Sequence, residues 1–268
     1  MTALGALTPD ALSPLTVALL CLAALAAGWV DAVTGGGGLV QLPSLLLALP
    51  QENTVAAIAT NKLSSVLGTS AATATYARKV RLDLRTAVPM AVAAMAGAAG
   101  GALTASHLPV AALRPVIVVA LIVVWVVTLV RPSMGQDEAL RWQGRRRHYV
   151  VAVLAGLLIG FYDGAIGPGT GSFLLMVLVA GLGYSFLRAS ATAKVVNLAT
   201  NVSALIVFGI AGAPLWLLGL LMGACNVLGA VVGASMAIRR GSAFVRVVFL
   251  VVVGVLILRL GWDVLPHG

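Results

Sequence analysis

The chain has 268 residues, of which 60% are hydrophobic and 9% charged, with a formal net charge of +9. A soluble domain carries about 25% charged residues, so this composition excludes a water-soluble globule and predicts an all-α integral membrane protein. The positive charge does not point to nucleic acid, because the basic residues gather in short loops between apolar runs, the pattern that orients membrane helices.

The first apolar run covers residues 15–27. The first Lys or Arg is Lys62, so no basic region precedes the run as in a cleaved signal peptide. It is expected to remain as a membrane helix over about 13–33. Gly35, Gly36, Gly37 and Gly38 should end it, since each Gly costs about 1 kcal/mol relative to Ala inside a helix. A short segment, 39–49, follows. Its length gives roughly 16 Å of helix, too little for a hydrocarbon core of ~30 Å. Three longer helices complete the first repeat (1–131), with apolar runs at 87–103 and 116–130. A basic linker (132–148) carrying Arg141, Arg145, Arg146 and Arg147 leads into a second repeat, 149–268. There the order returns: a helix over about 149–166, a break at Gly167-Pro168-Gly169-Thr170-Gly171, a short segment 172–182, and three more helices.

The duplication is visible in the chemistry-bearing residues. Gly28, Asp31, Gly35 and Gly37 stand 132 residues before Gly160, Asp163, Gly167 and Gly169. Without a gap, the same spacing carries Thr60 and Lys62 onto Thr192 and Lys194, and Gly97 and Gly101 onto Gly229 and Gly233. Loop charge then predicts how the halves are related. The loop 76–85 holds Arg78, Lys79, Arg81 and Arg85, whereas its counterpart, 209–217, has no charge. One loop later the bias reverses: 106–115 carries only Arg114, while 238–247 carries Arg239, Arg240 and Arg246. Equivalent loops on opposite sides of the membrane require an odd number of crossings per half. The expectation is an inverted-topology repeat with broken or half helices and both termini outside the cytoplasm. Five crossings per half, or three and a hairpin, both satisfy it, for roughly 8–10 membrane segments.

Three constellations carry the candidate chemistry. Broken helices at matching places in two inverted halves point to a transporter's binding site. Gly36 and Gly37, with Gly169 and Thr170, therefore offer backbone N–H groups to an anion; the alternative is close helix packing through small residues. Lys62 and Lys194 each lie nine residues into a helix, about 13–14 Å deep at 1.5 Å per residue. An ammonium at that depth normally faces the bundle interior or a wet cavity, the alternative being a side chain that snorkels to the interface. Lys194, Asn197 and Asn201 share one helix face, as do Lys62, Ser65 and Thr69, and Thr60, Asn61 and Thr192 complete the expected site. Asp31 and Asp163 precede their breaks by four residues. They can carry protons for coupling, neutralise the two lysines, or cap the broken backbone.

Other signals are structural. The Gly-x-x-x-Gly pairs suit close helix packing, and the tryptophans suit interface anchors. His107, His148 and His267 are scattered, so no metal or haem site is expected, and no nucleophile–base pair suggests an enzyme. No cofactor is expected. Cys21 and Cys225 lie in apolar helices as small core residues.

These residues resemble the TauE/SafE family of sulfite exporters. The likeness lies in Gly28-x-x-Asp31 with Gly35 to Gly38 and Pro43, then Ala59-Thr-Asn-Lys62 and Gly68-Thr69. The second half supplies Gly160-Phe-Tyr-Asp163-Gly-x-x-Gly167-Pro-Gly-Thr-Gly171-Ser-Phe173 and Ala191-x-Ala193-Lys194-x-x-Asn197, followed by Thr200-Asn201. It spans about residues 15–262. The resemblance implies a multi-pass inner-membrane permease for sulfite, sulfoacetate or a related organosulfur anion, often an exporter, with about eight transmembrane segments. Its motifs are shared across the family and do not identify the ligand. The expected partners are the small anion and the bilayer, with a homodimer as an option. A passive anion channel of the same architecture is the alternative, and a membrane-embedded assembly partner without transport is a third reading.

Overall fold

Ser13 opens the first helix, α1 (Pro14–Thr34), by accepting from Thr16 N, with proline in the first turn where a missing N–H leaves nothing unpaired. Gly35 ends it in the left-handed conformation, φ 80°, its N–H donated to Asp31 O. The structure, a computed structural model, describes residues 12–49, 54–105 and 110–264. All regular elements among the described residues are helical. After α1 come α2 (Gly38–Ala48), α3 (Thr54–Ala77), α4 (Leu84–Thr104), α5 (Val110–Val130) and α6 (Arg146–Ala165). Next is α7 (Thr170–Met176), continued as a π-helical turn Val177–Gly181, then α8 (Phe186–Ile210). The last stretch, Trp216–Val264, is broken at Gly241, whose φ of 73° and ψ of −167° fit no helix. Gly241 divides it into α9 (216–240) and α10 (242–264).

Five of these stretches are long and apolar enough to cross a membrane: Pro14–Thr34, Leu84–Thr104, Arg146–Ala165, Phe186–Ile210 and the double-length Trp216–Val255. Leu15, Leu22, Leu103, Leu158 and Leu258 turn outward and are more than 60% exposed, a rim that only lipid would cover without penalty. α2, with 11 residues, is too short to span.

The helix starts repeat with the spacing read from the motifs. α1 to α5 begin at 14, 38, 54, 84 and 110, and α6 to α10 begin at 146, 170, 186, 216 and 242. The two sets interlock: α4 lies along α6, and α1 lies along α9. Small residues make both contacts. A Cβ on Gly97 would sit 2.2 Å from Leu157 O, and on Gly101 2.0 Å from Phe161 O. Their counterparts Gly229 and Gly233 meet Leu25 O at 1.9 Å and Trp29 O at 2.6 Å. These glycines let one backbone rest on another.

Several local expectations differ from the structure. α6 begins at Arg146, three residues earlier than the apolar run suggests, because Arg146, Arg147 and His148 extend it into the linker. His148 is buried rather than loose: Nδ1 lies 3.0 Å from Arg141 O and Nε2 3.0 Å from Thr86 Oγ1. Arg246 is not a loop cation but lies inside α10, donating to Thr128 O at 2.8 Å near the end of α5. Trp125 is no interface anchor, since its indole N–H donates to Leu250 O at 2.8 Å. Expected loop residues 106–109 and the N-terminal residues 1–11 lie outside the described residues, as does Asn53, the expected start of the helix bearing Lys62. The linker itself is held to the second half by Ala139 N→Gly183 O (2.9 Å), Arg141 N→Leu182 O (2.8 Å) and Phe186 N→Gly135 O (2.7 Å).

Candidate functional site

α1 and α6 both stop among buried residues, where a helix end presents a problem. Its last carbonyls lack intrahelical donors, and hydrocarbon supplies none. At the end of α1 three hydroxyls from three other helices solve it. Tyr76 OH donates to Ala32 O (2.9 Å), Ser190 Oγ to Val33 O (2.8 Å) and Ser172 Oγ to Thr34 O (3.0 Å). At the second break Tyr162 OH donates to Pro168 O (2.6 Å). Thr170 Oγ1 lies 2.7 Å from both Gly167 O and Asp163 Oδ1. The breaks touch. A Cβ on Gly35 would lie 2.2 Å from Gly171 C, and one on Gly171 would lie 2.4 Å from Gly35 Cα. Gly35 is doubly constrained, by this contact and by its positive φ.

The lysines sit beside this crossing, and each is paired with the carboxylate of the other half. Lys62 Nζ is 2.8 Å from Asp163 Oδ2, with both side chains 2% exposed, and donates to Asn201 Oδ1 at 3.1 Å. Lys194 Nζ is 2.7 Å from Asp31 Oδ2, with side-chain exposures of 1% and 15%. Of the three roles open to the aspartates, neutralising the lysines is the one the geometry displays. Asp31 contributes to the end of its helix through its backbone carbonyl, not its carboxylate. Within each pair neither partner can be lost alone without a large cost, because a buried charge left unpaired is strongly destabilising.

Around these groups lies a cavity of about 20 Å³, room for about one water molecule. Asp31, Asn61, Lys62 and Asp163 line it, together with Gly169, Thr170, Asn197 and Asn201. Asn201 Nδ2 donates to Asn197 Oδ1 at 3.3 Å. Five expected site residues do not line it. A Cβ on Gly36 would meet Val252 and one on Gly37 would meet Ala27 O, so both positions are closely packed by other residues. Thr60 Oγ1 instead accepts from Leu215 N (3.0 Å) at the start of α9, and Thr192 is fully buried off the cavity. Lys194 pairs with Asp31 and is not on the cavity wall. Thr69 turns its hydroxyl to Ser65 O of its own helix (2.6 Å).

Sequence reasoning missed the hydroxyls of Tyr76, Ser172 and Ser190. Only Ser190 carried a usable signal, lying one turn before Lys194 on the same helix. It also missed a buried amide pair, Asn226 Nδ2→Gln41 Oε1 at 2.8 Å.

A family profile described as sulfite exporter TauE/SafE matches residues 20–260. The chain belongs to this family. Among its relatives, the probable membrane transporter protein ORF9 of a Sinorhizobium species is 38% identical over 245 residues, covering 91% of this chain and 92% of that one. The probable membrane transporter protein YfcA of Escherichia coli strain K12 is 31% identical over 259 residues, covering 96% and 93%. A probable membrane transporter protein of Haemophilus influenzae is 31% identical over 231 residues, covering 86% and 88%. No solved structure gives a significant match. This TauE/SafE protein is a multi-pass membrane transporter, and the breaks, lysines and carboxylates that carry the resemblance are those gathered at the crossing.

Proposed function

We propose that this TauE/SafE protein is a secondary transporter of the cell membrane that exports a small sulfur-containing anion such as sulfite or sulfoacetate, coupled to protons. The observation that carries the reading is the crossed pairing of Lys62 with Asp163 and of Lys194 with Asp31 around one small cavity. Two cations with two carboxylates make a neutral site. An oxyanion entering it adds a buried negative charge, which is expensive unless a proton enters too. Ammonium, amide and hydroxyl groups from Lys62, Asn61, Asn197, Asn201 and Thr170 are the donors an oxyanion coordinates. Gly38, the first residue of α2, lines the cavity as well, and a helix start favours a negative charge.

A cavity of only about 20 Å³ favours a transporter over a channel of the same architecture, because a channel needs a continuous wet path. The opposed charge bias of equivalent loops supports the inverted relation of the halves, which lets one site face each side in turn. The test is purified protein in liposomes, with uptake and counterflow of sulfite, sulfate, thiosulfate, sulfoacetate and taurine. Saturable flux that responds to a pH gradient, and that is abolished by Lys194→Met in a protein that still inserts and folds, is the expected result. Ohmic current would favour the channel. Wild-type protein with no flux of any of these solutes would overturn the proposal.

A further inference from the structure

The two lysine–aspartate pairs occupy equivalent places in the repeat, yet they are not held alike. Asp163 accepts from Thr170 Oγ1 (2.7 Å), and its partner Lys62 donates to Asn201 Oδ1 (3.1 Å). The positions 132 residues earlier are Gly38, which has no side chain, and Thr69, whose hydroxyl is spent on Ser65 O. The Lys194–Asp31 pair therefore lacks both of the polar supports that the Lys62–Asp163 pair has. Exposure follows the same division: Asp31 is 15% exposed, against 2% for Asp163. Asp31 lines the cavity and its partner Lys194 does not, whereas Lys62 and Asp163 both form its wall.

Resting on the reading of this cavity as the transport site, we infer that the two carboxylates divide the work. Asp31 is the exchanging group, which takes up the coupling proton and uncovers Lys194 for the anion. Asp163 is a positioning residue that keeps Lys62 fixed on the cavity wall. The step balances in charge and atoms. A proton from water joins the Asp31 carboxylate, the Asp31–Lys194 ion pair separates, and the Lys194 ammonium, still protonated, pairs with the incoming anion. With a singly charged anion such as hydrogensulfite, the site is neutral before and after. The charged or titratable groups facing Asp31 are Lys194 of α8 and Tyr76 of α3, whose hydroxyl is bonded one residue on at Ala32 O, with Lys62 and Asp163 across the cavity.

The experiment uses full-length protein with radiolabelled sulfite as the probe. Exchange of sulfite at equal pH on both sides of the liposome, net flux driven by a pH gradient, and proton uptake on sulfite binding, by calorimetry in two buffers of different ionisation heat, are measured together. At a pH low enough that sulfite is present as singly charged hydrogensulfite, wild type is expected to take up about one proton per anion. Asp31→Asn should bind without proton uptake, and its pH-driven net flux should fall more than tenfold. Asp163→Asn should lose exchange and net flux together, because Lys62 is no longer held.

Asp31→Asn that still takes up a proton on binding overturns the assignment, and so does Asp163→Asn that keeps exchange but loses coupling. If Asp163→Asn fails to fold, the proton count in Asp31→Asn decides alone. Wild type that exchanges sulfite with no proton uptake refutes the division of labour and leaves the transport reading standing. Wild type that neither binds nor exchanges any tested anion sinks the transport reading itself.

Discussion

Removing Lys62 should destabilise the protein far more than removing Lys62 and Asp163 together. The two side chains are each 2% exposed and 2.8 Å apart, so Lys62→Met leaves a carboxylate with no cation in a region that water barely reaches. Breaking a buried pair from one side costs about 3–5 kcal/mol, whereas replacing both partners by neutral groups is often close to neutral. Methionine fills most of the lysine stem, so little of the loss comes from packing. Lys62→Met/Asp163→Asn should therefore regain most of what Lys62→Met loses, a coupling of roughly 2–4 kcal/mol in a double-mutant cycle. The assay is reversible unfolding in mixed micelles, read by tryptophan fluorescence. Lowering the pH should recover part of the single variant's loss, because a protonated carboxyl needs no cation. The reasoning is refuted if the single and double variants are equally destabilised, or if Lys62→Met unfolds like wild type at neutral pH.

Tyr76→Phe removes the hydroxyl that satisfies Ala32 O and should lower stability by about 1–3 kcal/mol, measured by the same unfolding assay; unchanged stability in this variant would show that the carbonyl finds another donor. Thr60→Val should leave sulfite flux within about twofold of wild type while costing ~1 kcal/mol, because Thr60 serves Leu215 N and not the cavity. Liposome flux and micelle unfolding measure the two halves of that statement, and a large loss of flux would return Thr60 to the site. Asp83 caps α4 and accepts from Tyr184 and Thr86. Burial alone would raise its carboxyl, but those hydrogen bonds outweigh burial and hold it below the usual carboxylate range. Its contribution is therefore complete above the ordinary Asp value of about 3.9 and disappears as the pH falls through the depressed one. Asp83→Asn should flatten the acid limb of a pH–stability profile, and a variant with an unchanged limb would count against this role.

Much of the frame was legible because the repeat left it in residues that rarely match by chance. A spacing of 132 residues, read from Asp31, Lys62 and the glycines, places the start of every helix of the second half. The lysines at mid-helix and the glycine breaks were legible for the same reason: membrane helices tolerate neither without a purpose. What stayed hidden was which half serves which. Sequence spacing groups Lys62 with its own neighbours Thr60 and Ser65, but the partners that matter, Asp163 and Asn201, come from the other repeat. Helix periodicity reports faces within one helix and carries no information about where two helices cross. Thr60 shows the limit from the other side, since it is two residues from Lys62, wholly buried, and turned to a different helix start.

The contrast between Thr170 and Gly38, or between Asn201 and Thr69, is plain when the two halves are aligned. It gains meaning only from the ion pairs, because these positions support one lysine and leave the other unsupported. A duplicated site built symmetrically would hold both carboxylates equally and give neither a reason to release first. Substituting two supporting side chains on one side is a small change in sequence. It turns two equivalent ion pairs into one with two further polar partners and one without them.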